Sequence, residues 1–406
     1  MKIEFYNKFD NDKKVLFWIL IFCFVIVSVF LIKLICNEYF IFGNNLQMDA
    51  TGQFGDFIGG VIGTILSGAG FYFLYITLVE QRKSIQEQKE ALENQKISFE
   101  KERFEAKFFD LIKLHRDNIT DVKYRIFIKE KKETVEGRRV FNLIYKEFLE
   151  SFLDVKRFCK IYEGEVYTKR KYRKKLNRII KENNLKTTIN DLVIIDISYL
   201  ILYFGTGKEG AILLRHKFTN RYTEDFVYKL IKFIQLKPCK SNTEGYKSWN
   251  KFKATELPIL KRSFNRIYRN RNNKAFSFTI KNYNLLENYK SVKYYGGHQY
   301  RLGHYYRHLF QCYKFLILQK TLNESEKYFY GKTLRAQLSN YEQSLLFVNS
   351  ISSLGYKWEF DHEHDLEGQP IRLITFFQLI KNVSGRRLVN IDYRDFYKIN
   401  YEFEER

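Results

Sequence analysis

Apolar residues fill two unbroken stretches near the start of the chain and then settle into a three-and-four spacing that continues almost to its end. Val15 to Ile32 is eighteen residues without an ionisable side chain, and at roughly 1.5 Å of rise each it covers about 27 Å of hydrocarbon. Phe57 to Val79 is twenty-three uncharged residues, long enough for about 30 Å with some tilt. The two runs predict a transmembrane hairpin over residues 1–79. A cleaved signal peptide is the alternative for the first run, but its apolar part exceeds the usual ~7–15 residues and no small-residue cleavage site follows. Lys2, Lys8, Lys13 and Lys14 precede the first span, Arg82 and Lys83 follow the second, and the loop between them carries only Glu38, Asp49 and Asp56. The positive-inside rule therefore predicts a multi-pass membrane protein with both termini cytoplasmic.

Gly55, Gly59 and Gly63 recur every four residues in the second run, with Gly60, Thr64 and Gly68 beside them. A stripe of small residues lets helix backbones approach closely, either within the hairpin or between copies of the chain. Leu78, Ile85, Leu92 and Phe99 then follow at seven-residue intervals. One apolar position per heptad gives a helical stalk over 80–115, either a weak coiled coil that joins copies or a solvated connector. From 116 to 406 the period is helical, with amphipathic stretches near 137–161, 189–204, 208–235, 300–320, 324–353 and 371–382. Asn323 with Glu326 marks a helix start and Gly355 a stop. Only Tyr124–Ile128 and Ala275–Ile280 alternate, as in a minor β-hairpin. The fold class is mainly α.

Charge alters the picture next. The chain carries a formal +23, and the part beyond residue 80 holds 64 Lys and Arg against 39 Asp and Glu. Such a field favours nucleic acid, RNA included, or the lipid bilayer itself. An abundance of Lys, Asn, Ile, Tyr and Phe, which AT-rich codons encode, accounts for part of it. Two clusters stand out, Lys169 to Lys175 with Arg178, and Lys261 to Lys274 with Arg266, Arg269 and Arg271. Tyr167, Tyr172, Phe264 and Tyr268 lie among them as a stacking surface for bases requires, although charge runs are commonly only solvated faces. The five scattered cysteines show neither a disulfide framework nor metal spacing.

Candidate chemistry concentrates between Tyr294 and His308. At about 100° per residue Arg301, His304 and His308 share a helix face, with Tyr305 at its edge and Arg307 nearby. Histidines move protons near neutral pH and arginines hold an oxyanion or a phosphate, so a ribonuclease-type site is chemically possible. Further on, Arg335, Ser339 and Glu342 share a face, which serves either a catalytic set or a buried pair that docks helices. Asp361 to Asp365 gathers ligand-type side chains, but consecutive residues cannot all reach one ion, and no metal or cofactor is expected. Gly205-Thr206-Gly207-Lys208 lacks the rest of a phosphate loop.

The order of hairpin, stalk, Gly137-Arg138 with Phe141 and Glu147-Phe148, then Gly303-His304-Tyr305-Tyr306-Arg307-His308-Leu309 and Leu334-Arg335-Ala336-Gln337-Leu338-Ser339-Asn340-Tyr341-Glu342, resembles the putative phage abortive infection protein family of bacteria. That resemblance implies a membrane-tethered antiviral protein whose action halts the infected cell. A second resemblance, to the HEPN ribonucleases, rests on Arg301 and His308 with six residues between them; the polar residue usual after the arginine is here Leu302. These readings give Arg301, His304, Arg307, His308, Arg335 and Glu342 as the expected functional centre. It would sense or cut an anionic infection-related target, RNA or a phage component. The competing form is a non-enzymatic effector that disturbs the membrane, with copies of the chain associating through spans and stalk.

Overall fold

A computed structural model describes residues 2–36, 48–128, 131–273, 276, 279–280, 283–284, 293–361, 368–383, 387–388 and 391–402. The chain divides into two compact units, residues 1–100 and 101–406.

The first unit is helical: α1 is Lys2–Cys36, α2 is Met48–Phe57, a π-helical turn follows at Ile58–Ile62, and α3 begins at Gly63 and runs to Thr120. By length and composition one helix among the described residues can cross a membrane, Gly52–Thr120, while the apolar helix Phe17–Lys33 is shorter. The expected two-span hairpin thus rests on one helix of sufficient length and one that falls short, and residues 37–47 between them lie outside the described residues. Phe30 stacks on Phe57 with ring centroids 4.2 Å apart, and Cys23 and Ile62 are buried. The glycine stripe is not used in this contact. A methyl group added at Gly55, Gly59 or Gly60 would meet nothing within 4 Å. Ser28 and Thr77 donate their hydroxyls to the carbonyls of Phe24 and Phe73, which satisfies them inside their own helix. Leu78, Ile85, Leu92 and Phe99 are each more than half exposed.

The second unit starts where α3 becomes amphipathic, with Phe104, Phe108, Ile112, His115 and Ile119 buried at three- and four-residue intervals. Strands β1 (Lys123–Ile128) and β2 (Lys131–Glu136) form an antiparallel hairpin, and α4 follows at Arg139–Cys159. Next come α5 (Arg170–Glu182), α6 (Ile189–Phe204), α7 (Lys208–Thr219), α8 (Glu224–Gln235), α9 (Thr243–Ala254) and α10 (Leu257–Arg269). The two-residue strands β3 (Thr279–Ile280) and β4 (Tyr283–Asn284) pair with each other. Helices α11 (Gln299–Ile317), α12 (Glu324–Arg335), α13 (Asn340–Ser350) and α14 (Leu373–Phe377) complete the body, with a last short pair β5 (Arg387–Leu388) and β6 (Ile391–Asp392). The body is mainly helical, as the spacing predicts, and each strand pairs with its immediate neighbour.

Helix α6 is the axis of this body. Every residue from Leu192 to Leu202 is buried, so its hydrophobic face extends all the way round, and α4 lies against it with the Ser151 hydroxyl donating to Ser198 O at 3.1 Å. The predicted helix at 208–235 is two helices, because Arg221 O accepts from Lys169 N at 2.8 Å and Thr223 N donates to Tyr167 O at 2.9 Å, which draws the chain out of helix before α8 begins. The predicted helix at 324–353 is also two. Ser339 and Glu342 form a reciprocal capping box that starts α13 afresh. Asn323 and Glu326 form the box expected at the start of α12.

Gly205-Thr206-Gly207-Lys208 closes α6. Gly205 takes φ +75° and lies so near the backbone of Gly296 and Gly297 that an added Cβ would sit 2.7 Å from both. Gly297, at φ +87°, meets Phe204 O in the same way. Only glycine accepts both the left-handed conformation and the contact. Thr206 N then donates to Tyr295 O at 2.9 Å and His298 N to Tyr203 O at 2.9 Å, which delivers the start of α11 against the end of α6.

Candidate functional site

The expected centre separates into residues that hold helices together and residues that face solvent. Tyr305 is fully buried, and its hydroxyl donates to Glu342 Oε1 at 2.9 Å. Glu342, also fully buried, accepts from Ser339 N at 2.7 Å and from Ser339 Oγ at 2.5 Å, with Arg138 Nε 3.9 Å away. Arg335 donates to Phe377 O at 2.8 Å and to Gln378 O at 3.2 Å, tying α12 to α14. The shared face expected for Arg335, Ser339 and Glu342 is corrected here. The capping box breaks the helix between them, so arginine and glutamate belong to different helices and serve different partners.

On α11, His308 Nε2 lies 3.1 Å from Leu111 O and its ring stacks at 5.9 Å on that of His115. Arg301 donates from Nε to Lys123 O at 2.8 Å, and its guanidinium covers the Tyr124 ring at 4.5 Å. Burial holds its pKa below the usual arginine value. The HEPN-like pair Arg301 and His308 takes separate partners, the hairpin for the arginine and α3 for the histidine.

A second network, unnoticed in the sequence, surrounds His298. Its Nε2 is 2.7 Å from Glu147 Oε2, and Arg301 lies 3.2 Å from Nδ1. Arginine can only donate, so Nδ1 accepts and the proton sits on Nε2, directed at Glu147. Tyr124 donates its hydroxyl to the other oxygen of Glu147, and burial together with that carboxylate pushes the Tyr124 pKa up. With both ring nitrogens engaged and only 1% of the residue exposed, His298 has no nitrogen left for a substrate; it pins the hairpin and the start of α11 onto α4. The one sequence signal for this role is the placement of Glu147-Phe148 among the family-like segments.

His304 and Arg307 remain exposed on α11. Arg307 bonds its own helix at Gly303 O, 2.9 Å away, and lines a cavity of about 220 Å³ with Tyr203, Gln311, Lys357 and Trp358. Two cations and an amide at one opening can hold an anionic group.

Both basic clusters are amphipathic helices. In α5 the cations Arg170, Lys171, Arg173, Lys174, Lys175, Arg178 and Lys181 are exposed, while Tyr172, Leu176 and Ile179 are buried. Tyr167 and Phe264 are buried as well. The interleaved aromatics are therefore the apolar stripes of α5, α10 and the loop before α5, and stacking on bases is excluded for these three; the exposed cations keep their capacity for phosphate. Tyr268 is half-buried with Arg271 over its ring at 4.2 Å. Lys274, at the end of the second cluster, lies outside the described residues, as do His362 to Asp365 of the ligand-rich run; among the described residues no His, Cys, Asp or Glu group could hold a metal.

Residues 297–362 match the model of a family described as putative phage abortive infection protein. The matched segment contains α11, α12 and α13 and all six residues expected at the centre, whereas Gly137-Arg138, Phe141 and Glu147-Phe148 fall outside it. No curated protein and no solved structure matches the chain.

Proposed function

We propose that this protein is a membrane-anchored antiphage protein of the abortive-infection kind, in which the basic helical body binds an anionic infection-related target. The observation that carries the proposal is the match of the segment building α11 to α13 to that family. The apolar surface of the first unit supports the anchor: Phe24 is 73% and Phe71 74% exposed, an arrangement that water penalises and lipid rewards. Lysines before the first apolar run and Arg82 and Lys83 after the second favour an inner-membrane, multi-pass topology with the body in the cytoplasm. The exposed heptad residues and the open glycine stripe favour association of copies along α3. On α11 the target-facing residues are His304 and Arg307, and the remaining four candidates hold helices. Because Arg301 and His308 are occupied separately, the reading takes a binding form, RNA or a phage component being the target, ahead of a HEPN-like cleaving one.

The test is phage challenge of cells producing His304→Ala with Arg307→Ala, next to wild type at matched protein level in the membrane fraction. The expected result is loss of protection with the protein still membrane-bound. Full protection by the double variant would remove this face from function, and recovery of the wild-type chain in the aqueous fraction would remove the anchor.

A further inference from the structure

Between the hairpin, the middle of α4 and the chain leading into α11 lies a cavity of about 400 Å³, within the size range of small-ligand sites. Its carboxylates are already spent. Glu147 is held by His298 and Tyr124, and Glu150 accepts from Lys237 at 3.0 Å and Lys240 at 2.9 Å. Directly behind, the buried Asp154 accepts from Lys237 at 2.9 Å, Lys253 at 2.7 Å and Tyr295 at 2.8 Å. Burial alone would raise the Glu150 carboxyl, but Lys237, Tyr294 and Lys240 outweigh it and hold its pKa at about 2. Among the described residues that line the cavity, both carboxylates, Glu147 and Glu150, are thus engaged. Arg125 on β1 and Lys146 on α4, both exposed, stand at the mouth of the cavity and have no acceptor among the described residues. Lys293 lines it too, and burial lowers its pKa. Gly296 adds backbone without a side chain, since a Cβ there would meet nothing within 4 Å. Cys239, half-buried, sits in the same wall.

We infer that this cavity binds a small phosphate-bearing ligand of nucleotide size, its phosphate held between Arg125 and Lys146. A guanidinium paired with an ammonium, set among saturated carboxylates, selects a compact multivalent anion. The site is separate from the opening lined by Arg307, and its occupancy can be read whether or not the protein acts in defence.

The test is calorimetric titration of the full-length protein in detergent with ATP and, separately, with inorganic pyrophosphate. It is accompanied by alkylation of cysteines followed by peptide mass spectrometry. Cys159 and Cys312 are buried thiols raised to about 12 and stay silent, so the readout is Cys239 against the exposed Cys36. The expected result is saturable binding, several-fold slower alkylation of Cys239 with Cys36 unchanged, and a loss of about tenfold or more in affinity for Arg125→Gln with Lys146→Gln. Arg103→Gln with Lys113→Gln, two exposed cations of α3 outside the basic clusters, should leave affinity as it is. Tighter binding of ATP than of pyrophosphate assigns the rest of the cavity to the nucleoside, and equal binding assigns recognition to phosphate alone; both uphold the site. Absence of binding by both probes, an unprotected Cys239, or equal loss in the α3 variant would overturn it.

Discussion

Glu342 is fully buried and its carboxyl is held by three donated hydrogen bonds, from Tyr305 and from the backbone and hydroxyl of Ser339. Removing one member of such a set leaves buried partners unsatisfied, at a cost of about 3 kcal/mol. Glu342→Ala should therefore destabilise the folded body by that amount, read as a lowered denaturant midpoint, and any loss of defence should follow the loss of folded protein. His115 gives a pH signature. Desolvation, then the nearby His308 and Arg138, lower its pKa to about 4, and neither ring nitrogen has a hydrogen-bond partner among the described residues. The unfolded chain takes up a proton at about pH 6.5 that the native state refuses. Stability is thus complete above that pH and declines as pH falls toward about 4, where the native imidazole also charges. Between pH 7.5 and 5 the loss should be about 2 kcal/mol, measured by urea unfolding, and His115→Leu should lack this component. At this scale sequence reading located the right helix and the right residue types. It could not assign roles, because Arg301 and His308 share a helix face yet reach Lys123 on the hairpin and Leu111 on α3, which only tertiary packing brings there.

Among the elements, the long apolar-periodic helices were legible and the basic ones were not. In α5 only Tyr172, Leu176 and Ile179 mark the buried stripe, and the cations between them read as a charge run; Leu260, Phe264 and Ile267 do the same for α10. A count of apolar residues at three and four inside those clusters would have found both helices. The split between α12 and α13 was likewise written in Ser339-Asn340-Tyr341-Glu342, a capping-box pattern. Ser339→Ala should cost about 1 kcal/mol, or more because Glu342 loses a buried donor, read as a lowered thermal midpoint. The α6 to α11 junction was not legible, since the mutual approach of Gly205 and Gly297 joins segments some ninety residues apart. Gly205→Ala places a methyl 2.7 Å from the backbone at positive φ. It should destabilise the body by about 3 kcal/mol or prevent its folding, visible as faster digestion of the body in limited proteolysis. Along α3, the exposed seam positions Ile85 and Leu92 give a milder test. Ile85→Glu with Leu92→Glu should reduce chemically cross-linked dimer in membranes while leaving the amount of inserted protein unchanged; unchanged cross-linking would make this stretch a solvated connector.

Taken whole, the molecule joins a short, apolar, nearly neutral first unit to a body with a large cationic excess. The hydropathy pattern and the charge asymmetry were plain in the sequence, and both bear on where the protein sits and which sign of charge it meets. Identity of the target is a matter of surface detail, of Arg307 and Lys357 at one cavity and of Arg125 and Lys146 at another, and pattern alone does not bring such residues to one opening. The most direct measurement is phage yield and survival of cells producing the full-length chain, challenged with a phage panel at high multiplicity and compared with cells carrying the empty vector. The account predicts, for at least one phage, a sharply reduced burst together with death or arrest of the infected cells. Equal bursts and equal survival across the whole panel, with the protein present in the membrane, would contradict it.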